Sequence, residues 1–112
     1  MKKLIDLKKE CIYISTEEEL YILKCIIKKE YSNLINQINY FYKTIINIGI
    51  LNYKPILYFY IDDADKLTYY SSDWINYYNY IKNKIDKNYK THSIQTVILK
   101  RKIENIYEIY NN

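Results

Sequence analysis

Asp62, Asp63 and Asp65 crowd three carboxylates into the stretch "ILYFYIDDADKLTYYSSDW", which closes on the only tryptophan of the chain, Trp74. Carboxylates at this density suit a hard cation or acid–base work. A calcium loop spreads its oxygen ligands over a dozen residues, with a central glycine and a distal glutamate. "DDADKLTYYSSD" has neither. A carboxylate pair does acid–base chemistry when burial and repulsion drive the two pKa values apart, and an aspartate-rich turn between apolar runs supplies no such burial. The stretch is therefore expected to be a hairpin turn. Asp62 and Asp65 would join a divalent ion only with a further carboxylate beside them.

His92 is the single histidine, between Thr91 and Ser93, and Cys11 and Cys25 are the two cysteines. One histidine and two cysteines without metal spacing do not make a zinc set. Sequence distance alone leaves open a nucleophile–base pair of His92 with either thiol. Such a site needs a third group to orient the base and a backbone nest for the oxyanion, and no residue pattern marks either. A small hydrolytic enzyme using His92 is the third-ranked reading. Both cysteines are expected to be small buried residues of a reduced, intracellular protein. No residue pattern asks for a cofactor.

The aromatic set carries more information. Sixteen tyrosines stand against a single alanine, Ala64; AT-rich coding, which also favours Ile, Lys and Asn, accounts for much of that. Tyr58, Tyr60, Tyr69 and Tyr70 fall on the two runs of the expected hairpin. Alternate strand residues share a face, so Tyr58 and Tyr60 lie opposite Leu57, Phe59 and Ile61. If the latter face the core, the tyrosines form an outer strip that can anchor a protein partner or stack on bases. A covering helix would make the same strip internal packing.

The chain carries 17 basic and 13 acidic residues, a formal charge of +4. Lys82, Lys84, Lys87, Lys90, Lys100, Arg101 and Lys102 are opposed within their segment only by Asp86. Side by side they would make a basic patch able to follow phosphates. Reading of base edges favours arginine, and Arg101 is the only one. Direct nucleic-acid binding through residues 82–102, largely non-specific, is the second-ranked reading.

The elements that must position these groups follow from periodicity. "CIYIS" is a short strand, and "STEEELYILKCIIKKE" is a helix with a capping box begun by Ser15 or Thr16 and closed by Glu18 or Glu19. Its buried stripe is Leu20, Leu23, Ile26 and Ile27. After a break at 31–33, Leu34, Ile35, Ile38, Phe41, Tyr42, Ile45 and Ile46 recur at helical spacing, up to a left-handed cap at Gly49. Pro55 opens the strand "ILYFYI", Asp62 to Lys66 turn it, and "LTYY" returns. Ser71 or Ser72 caps a third helix with a stripe of Trp74, Tyr77, Tyr78, Ile81 and Ile85. A strand at 94–99 and a terminal helix from 101 complete the expectation.

At 112 residues, 49% of them apolar, the chain is expected to be one compact domain over 1–112. The fold class is α+β, a small antiparallel sheet with helices packed on one face. One glycine and one proline leave no phosphate-binding glycine loop and no flexible linker. Asp6, Lys8, Lys9 and Glu10 interrupt any secretory apolar run, and no stretch reaches membrane-spanning length, so a cytoplasmic setting is expected.

The start "CIYISTEEEL", the hairpin "PILYFYIDDADKLTYYSS" and the helix after it resemble small accessory proteins of phages and other mobile elements of low-GC bacteria, anti-CRISPR proteins among them. In those a short strand precedes a "T-x-E-E" helix and a strand pair ending in "LTY" follows. The glycine and tryptophan usual between helix and hairpin are replaced here by "YSNLINQINYFYKTIIN", so the resemblance covers about half the chain and transfers no functional residue. It implies a host-cell role in phage–host conflict, exercised by occupying a surface. The leading reading is thus a non-enzymatic binding protein that inhibits or modulates a host protein or protein–nucleic-acid complex. Tyr58, Tyr60, Tyr69 and Tyr70 would be its anchors, basic residues would steer it, and homodimerisation is compatible with it.

Overall fold

The computed structural model describes residues 4–99, apart from the side chains of 75–78. The chain runs β1 (Glu10–Ile14), α1 (Glu17–Glu30), α2 (Ile35–Ile48), β2 (Leu57–Ile61), β3 (Leu67–Ser71), α3 (Ile75–Asn88) and β4 (Lys90–Ser93), with short 3-10 turns at Ser32–Leu34 and Ile50–Tyr53. The four strands form one sheet in the order β3-β2-β1-β4. The α+β class is as the sequence implies, but the sheet is mixed. β2 pairs antiparallel with β1 and β3, while β4 lies parallel to β1, Cys11 opposite Thr91 and Ile12 opposite His92.

The capping chemistry of α1 forms as read. Thr16 is the N-cap, its hydroxyl accepting the Glu19 amide at 3.1 Å, and the Glu19 carboxylate accepts the Ser15 amide at 3.0 Å. Burial alone would raise the Glu19 pKa. The Ser15 amide and the Gln95, Ser15 and Thr16 side chains together hold it below the usual carboxylate range. α2 ends on Gly49 in the left-handed region, φ 73°. There an L-residue would be strained, and its Cβ would meet Asn52 Nδ2 at 3.0 Å.

Two clusters of buried side chains fill the two faces of the sheet. Ile12, Ile14, Leu57, Phe59, Ile61 and Leu67 point to one face, where Leu20, Leu23 and Ile27 of α1 and Ile38 and Ile45 of α2 cover them. On the opposite face Cys11, Tyr60 and Tyr70 pack against Ile81 and Ile85 of α3. Helices thus cover both faces rather than one. The reason is topological. β3 and β4 run in the same direction at opposite edges, so the chain between them must cross the sheet, and α3 is that crossover. Fourteen helical residues span about 21 Å, more than the roughly 14 Å between the outer strands of a four-stranded sheet.

Two boundaries differ from the sequence reading. Residues 94–99 are helical, not a strand, and the strand sits just before them. Ser93 Oγ accepts the Thr96 amide at 3.2 Å, an N-cap that outweighs the β-branching of Ile94, Thr96 and Val97. Ile94 and Val97 then join the main core at helical spacing. The terminal helix expected from 101 lies outside the described residues. Neither Ser71 nor Ser72 caps α3; its N-cap is Trp74, with no side-chain cap bond. Ser71 Oγ instead accepts the Asp73 amide at 3.2 Å and Ser72 Oγ the Ile56 amide at 2.9 Å, fixing the turn between β3 and α3.

Ahead of β1, Leu4 to Lys9 form a strap across one end of the sheet. Ile5 and Leu7 are fully buried. Tyr31 holds the strap from the end of α1: its hydroxyl donates to the Ile5 carbonyl at 2.5 Å and accepts the Leu7 amide at 3.0 Å. Glu30 Oε1 takes the Leu4 amide at 2.8 Å, and the Leu7 carbonyl accepts from Ile61 at 2.8 Å.

Candidate functional site

The acidic knot is a turn. Asp62 Oδ1 accepts the Ala64 amide at 2.9 Å and the Lys66 amide at 3.0 Å, and Oδ2 accepts the Thr68 hydroxyl at 3.2 Å. Asp65 takes the left-handed conformation, φ 61°, and pairs with Lys8 at 2.5 Å. The Lys66 amide, with smaller contributions from the Ala64 amide, the Thr68 hydroxyl and the Lys66 charge, holds the Asp62 carboxyl below its ordinary value against the opposing effect of burial. A depressed folded-state pKa contributes stability that is present above the unfolded value and lost as pH falls through the folded one. Asp62→Ala is therefore expected to destabilise by about 1–2 kcal/mol at neutral pH, with the gap to the parent closing as pH falls below the ordinary carboxylate range. Thermal melts of both proteins across that range check it; a gap independent of pH would show that the carboxylate charge is irrelevant to the turn.

Cys11 and His92 occupy opposite faces of the sheet. Cys11 lies with Tyr60 and Tyr70 under α3, whereas His92 is register partner to Ile12 and brings Nε2 to 3.6 Å from Glu10 Oε1. A dyad of these two is geometrically closed. Cys25 sits on α1, on the far side of the sheet from Cys11, and it is exposed rather than buried because it falls outside the Leu20, Leu23, Ile26 and Ile27 stripe. Burial, and then the charge of Asp86, push the Cys11 thiol up to about 12, which makes it a poor nucleophile. An aromatic disulfide reagent is expected to titrate one thiol at once and the second only on unfolding, and Cys25→Ser to remove the fast phase. Two fast thiols in the native protein would contradict the burial of Cys11. Among the described residues no three His, Cys, Asp or Glu side chains gather around a metal-sized site.

The four hairpin tyrosines divide between the faces. Tyr60 and Tyr70, 7% and 1% exposed, are core. Tyr70 stacks on Tyr58 with ring centroids 4.7 Å apart and planes 8° from parallel, Tyr60 meets Tyr89 edge-on at 5.3 Å, and Tyr58 is half-buried. The outer strip is an inner one, because α3 lies on it. Tyr69 points to the other face, against Phe59 and Phe41.

The basic segment is partly compensated. Lys82 pairs with Asp86 at 2.8 Å. Lys84 borders a cleft of about 190 Å³ beside Asp62 and Asp63, and Lys87 and Lys90 border a second one with Asp6, Glu10 and Asp86. Lys100, Arg101 and Lys102 lie outside the described residues.

A second aromatic group, not singled out by the sequence, runs from α2 to the turn before α3. Tyr40 meets Phe41 at 6.1 Å between ring centroids, Phe41 meets Tyr69 at 5.0 Å, and Tyr69 meets Trp74 at 5.9 Å. Tyr40 is 66% and Trp74 40% exposed, over half-buried Phe41 and Tyr69. Burial and the neighbouring Tyr40 raise the Tyr69 pKa, consistent with phenols held close together. Tyr40 falls off the apolar stripe of α2, and an aromatic off its helix stripe was the available signal. Beside this row the outer edge of β3 is closed at one end, the Leu67 amide donating to Gln37 Oε1 at 2.9 Å.

Comparison of the chain with protein-family models, curated proteins and solved structures finds no match in any of the three. Among the described residues no helix is long and apolar enough to cross a membrane.

Proposed function

We propose that this protein is a non-enzymatic binding protein that occupies the surface of a host protein or protein–nucleic-acid complex and so inhibits or modulates it. The observation that carries the reading is the aromatic row of Tyr40, Phe41, Tyr69 and Trp74. Tryptophan and tyrosine dominate binding hot spots, where a large rigid ring loses little entropy on docking. Here two exposed rings are held in place by two half-buried ones. The row replaces the strip of Tyr58, Tyr60 and Tyr70 as the contact surface, with Tyr69 common to both. The setting, counter-defence in the cytoplasm of a host cell, rests on the sequence resemblance to mobile-element accessory proteins alone.

The test compares the tagged parent with a Tyr40→Ala/Trp74→Ala double variant in nuclease-treated host lysate. Truncating exposed side chains leaves the fold within about 1 kcal/mol of the parent, which circular dichroism verifies. A stoichiometric protein partner captured by the parent and weakened at least about tenfold in the variant is expected. Equal capture by both removes the row from the contact. If the parent is dimeric in light scattering and the variant monomeric, the row serves self-association instead.

A further inference from the structure

We propose that the outer face of α3 is a docking surface for single-stranded nucleic acid, bound without sequence preference. Among the described residues, Ile81 and Ile85 carry α3 into the core, which fixes its rotation about its own axis. Tyr80, Asn83 and Lys87 follow at positions i, i+3 and i+7 on the side turned away from the sheet, with Lys84 flanking them. The Tyr80 ring is 69% exposed, and Asn83, Lys84 and Lys87 are exposed around it. Lys90, just beyond the helix, is exposed as well.

Charge selects the partner. Lys84, Lys87 and Lys90 make no ion pair among the described residues, whereas Asp86, the one acidic residue on the helix, is tied to Lys82. The outer face thus presents, around an open aromatic ring, ammonium groups that form no ion pair among the described residues, although Lys84 shares a cleft with Asp62 and Asp63, and Lys87 and Lys90 share one with Asp6, Glu10 and Asp86. Lysines track phosphates as point charges and an exposed ring stacks on any base, the combination that sequence-tolerant single-strand binding uses. Duplex DNA hides its base faces and would leave Tyr80 without a role. An acidic protein surface would use the lysines but not the stacking. The surface is separate from the Tyr40–Trp74 row, so failure here and failure of the protein-docking reading are distinguishable.

The experiment is fluorescence anisotropy of the full chain with a labelled oligothymidylate, the matching duplex and polyglutamate as competitor. Single-strand binding with a dissociation constant of about 10–100 µM at low salt is expected, weakening with a log–log salt slope of about −2, as three phosphate contacts give. Lys84→Glu/Lys87→Glu should lower affinity at least about thirtyfold, since it replaces two attractions by two repulsions. Tyr80→Ala should lower it about tenfold for the single strand and leave the duplex unchanged. The proposal is overturned by absence of binding at low salt, by an unchanged affinity in the charge-reversal variant with its native circular dichroism, or by loss of binding only on Lys100→Glu/Arg101→Glu. Polyglutamate displacing the oligonucleotide at equal charge concentration would reassign the face to an acidic protein and also overturn it.

Discussion

Tyr31→Phe is expected to destabilise the protein by about 2–3 kcal/mol, although it removes a single oxygen atom. That oxygen donates to the Ile5 carbonyl and accepts from the Leu7 amide, and both residues are completely buried. Removing it leaves a backbone donor and acceptor without partner or water, each costing about 1–3 kcal/mol when fully desolvated. Relaxation of the strap recovers part of this. For a domain of this size the melting temperature should fall by roughly 10 °C. Hydrogen exchange should accelerate first over Leu4 to Lys9. A melting temperature within a degree or two of the parent would mean that the strap is held by Ile5 and Leu7 alone. Burial raises the Tyr31 phenol above its ordinary value, aided by Asp6, Glu30 and Glu10 and opposed by the Leu7 amide. A raised folded-state value means that the contribution is complete below the unfolded pKa of about 10 and is lost as pH climbs through the higher folded one. Tyr31 should therefore weaken the parent on the alkaline side and leave its acid unfolding unaffected.

Tyr70→Ala should have the largest effect of any single change considered, a loss of about 3–5 kcal/mol. The ring is 1% exposed, stacks on Tyr58 and meets Tyr60 edge-on at 6.2 Å. Its removal opens a cavity beneath α3 that two isoleucines, Ile81 and Ile85, cannot collapse to fill. In urea titration the variant should unfold at far lower denaturant than the parent, with α3 exchanging its amides early. Tyr40→Ala, on the exposed row, should by contrast change stability by no more than about 0.5 kcal/mol. A Tyr70→Ala protein as stable as the parent would show that α3 does not seal the tyrosine face and would return those rings to the list of contact residues.

That contrast also measures what could be read in advance. The period-2 alternation of "LYFYI" assigned Leu57, Phe59 and Ile61 to one face and Tyr58 and Tyr60 to the other. It carried no information on what would lie against the second face. The missing fact was non-local. β4 pairs parallel with β1 at the edge away from β3, which sends α3 over the tyrosines. No residue within β2 or β3 encodes that choice. The strap escaped for a related reason, since Tyr31 reaches Ile5 across 26 positions of sequence and "LIDLKKE" has no periodicity of its own. The aromatic row unites residues of α2, β3 and the turn before α3, three segments that adjoin only after packing.

Local chemistry, by contrast, was decided by the sequence itself. The Thr16–Glu19 box, the stop at Gly49 and the Asp62 turn each close bonds within about five residues. Short loops cost little entropy to form, so their outcome does not wait on the rest of the chain. Ser93 belongs to the same class, since its cap on Thr96 was as legible as that of Thr16 but stood behind a β-branched run. The tertiary structure alone determined which tyrosines became core, which aromatics remained at the surface, and that Cys11 and His92 stand on opposite sides of the sheet. Each depends on which distant segment covers a face, and that is set by the free energy of burying whole faces together rather than by any one residue.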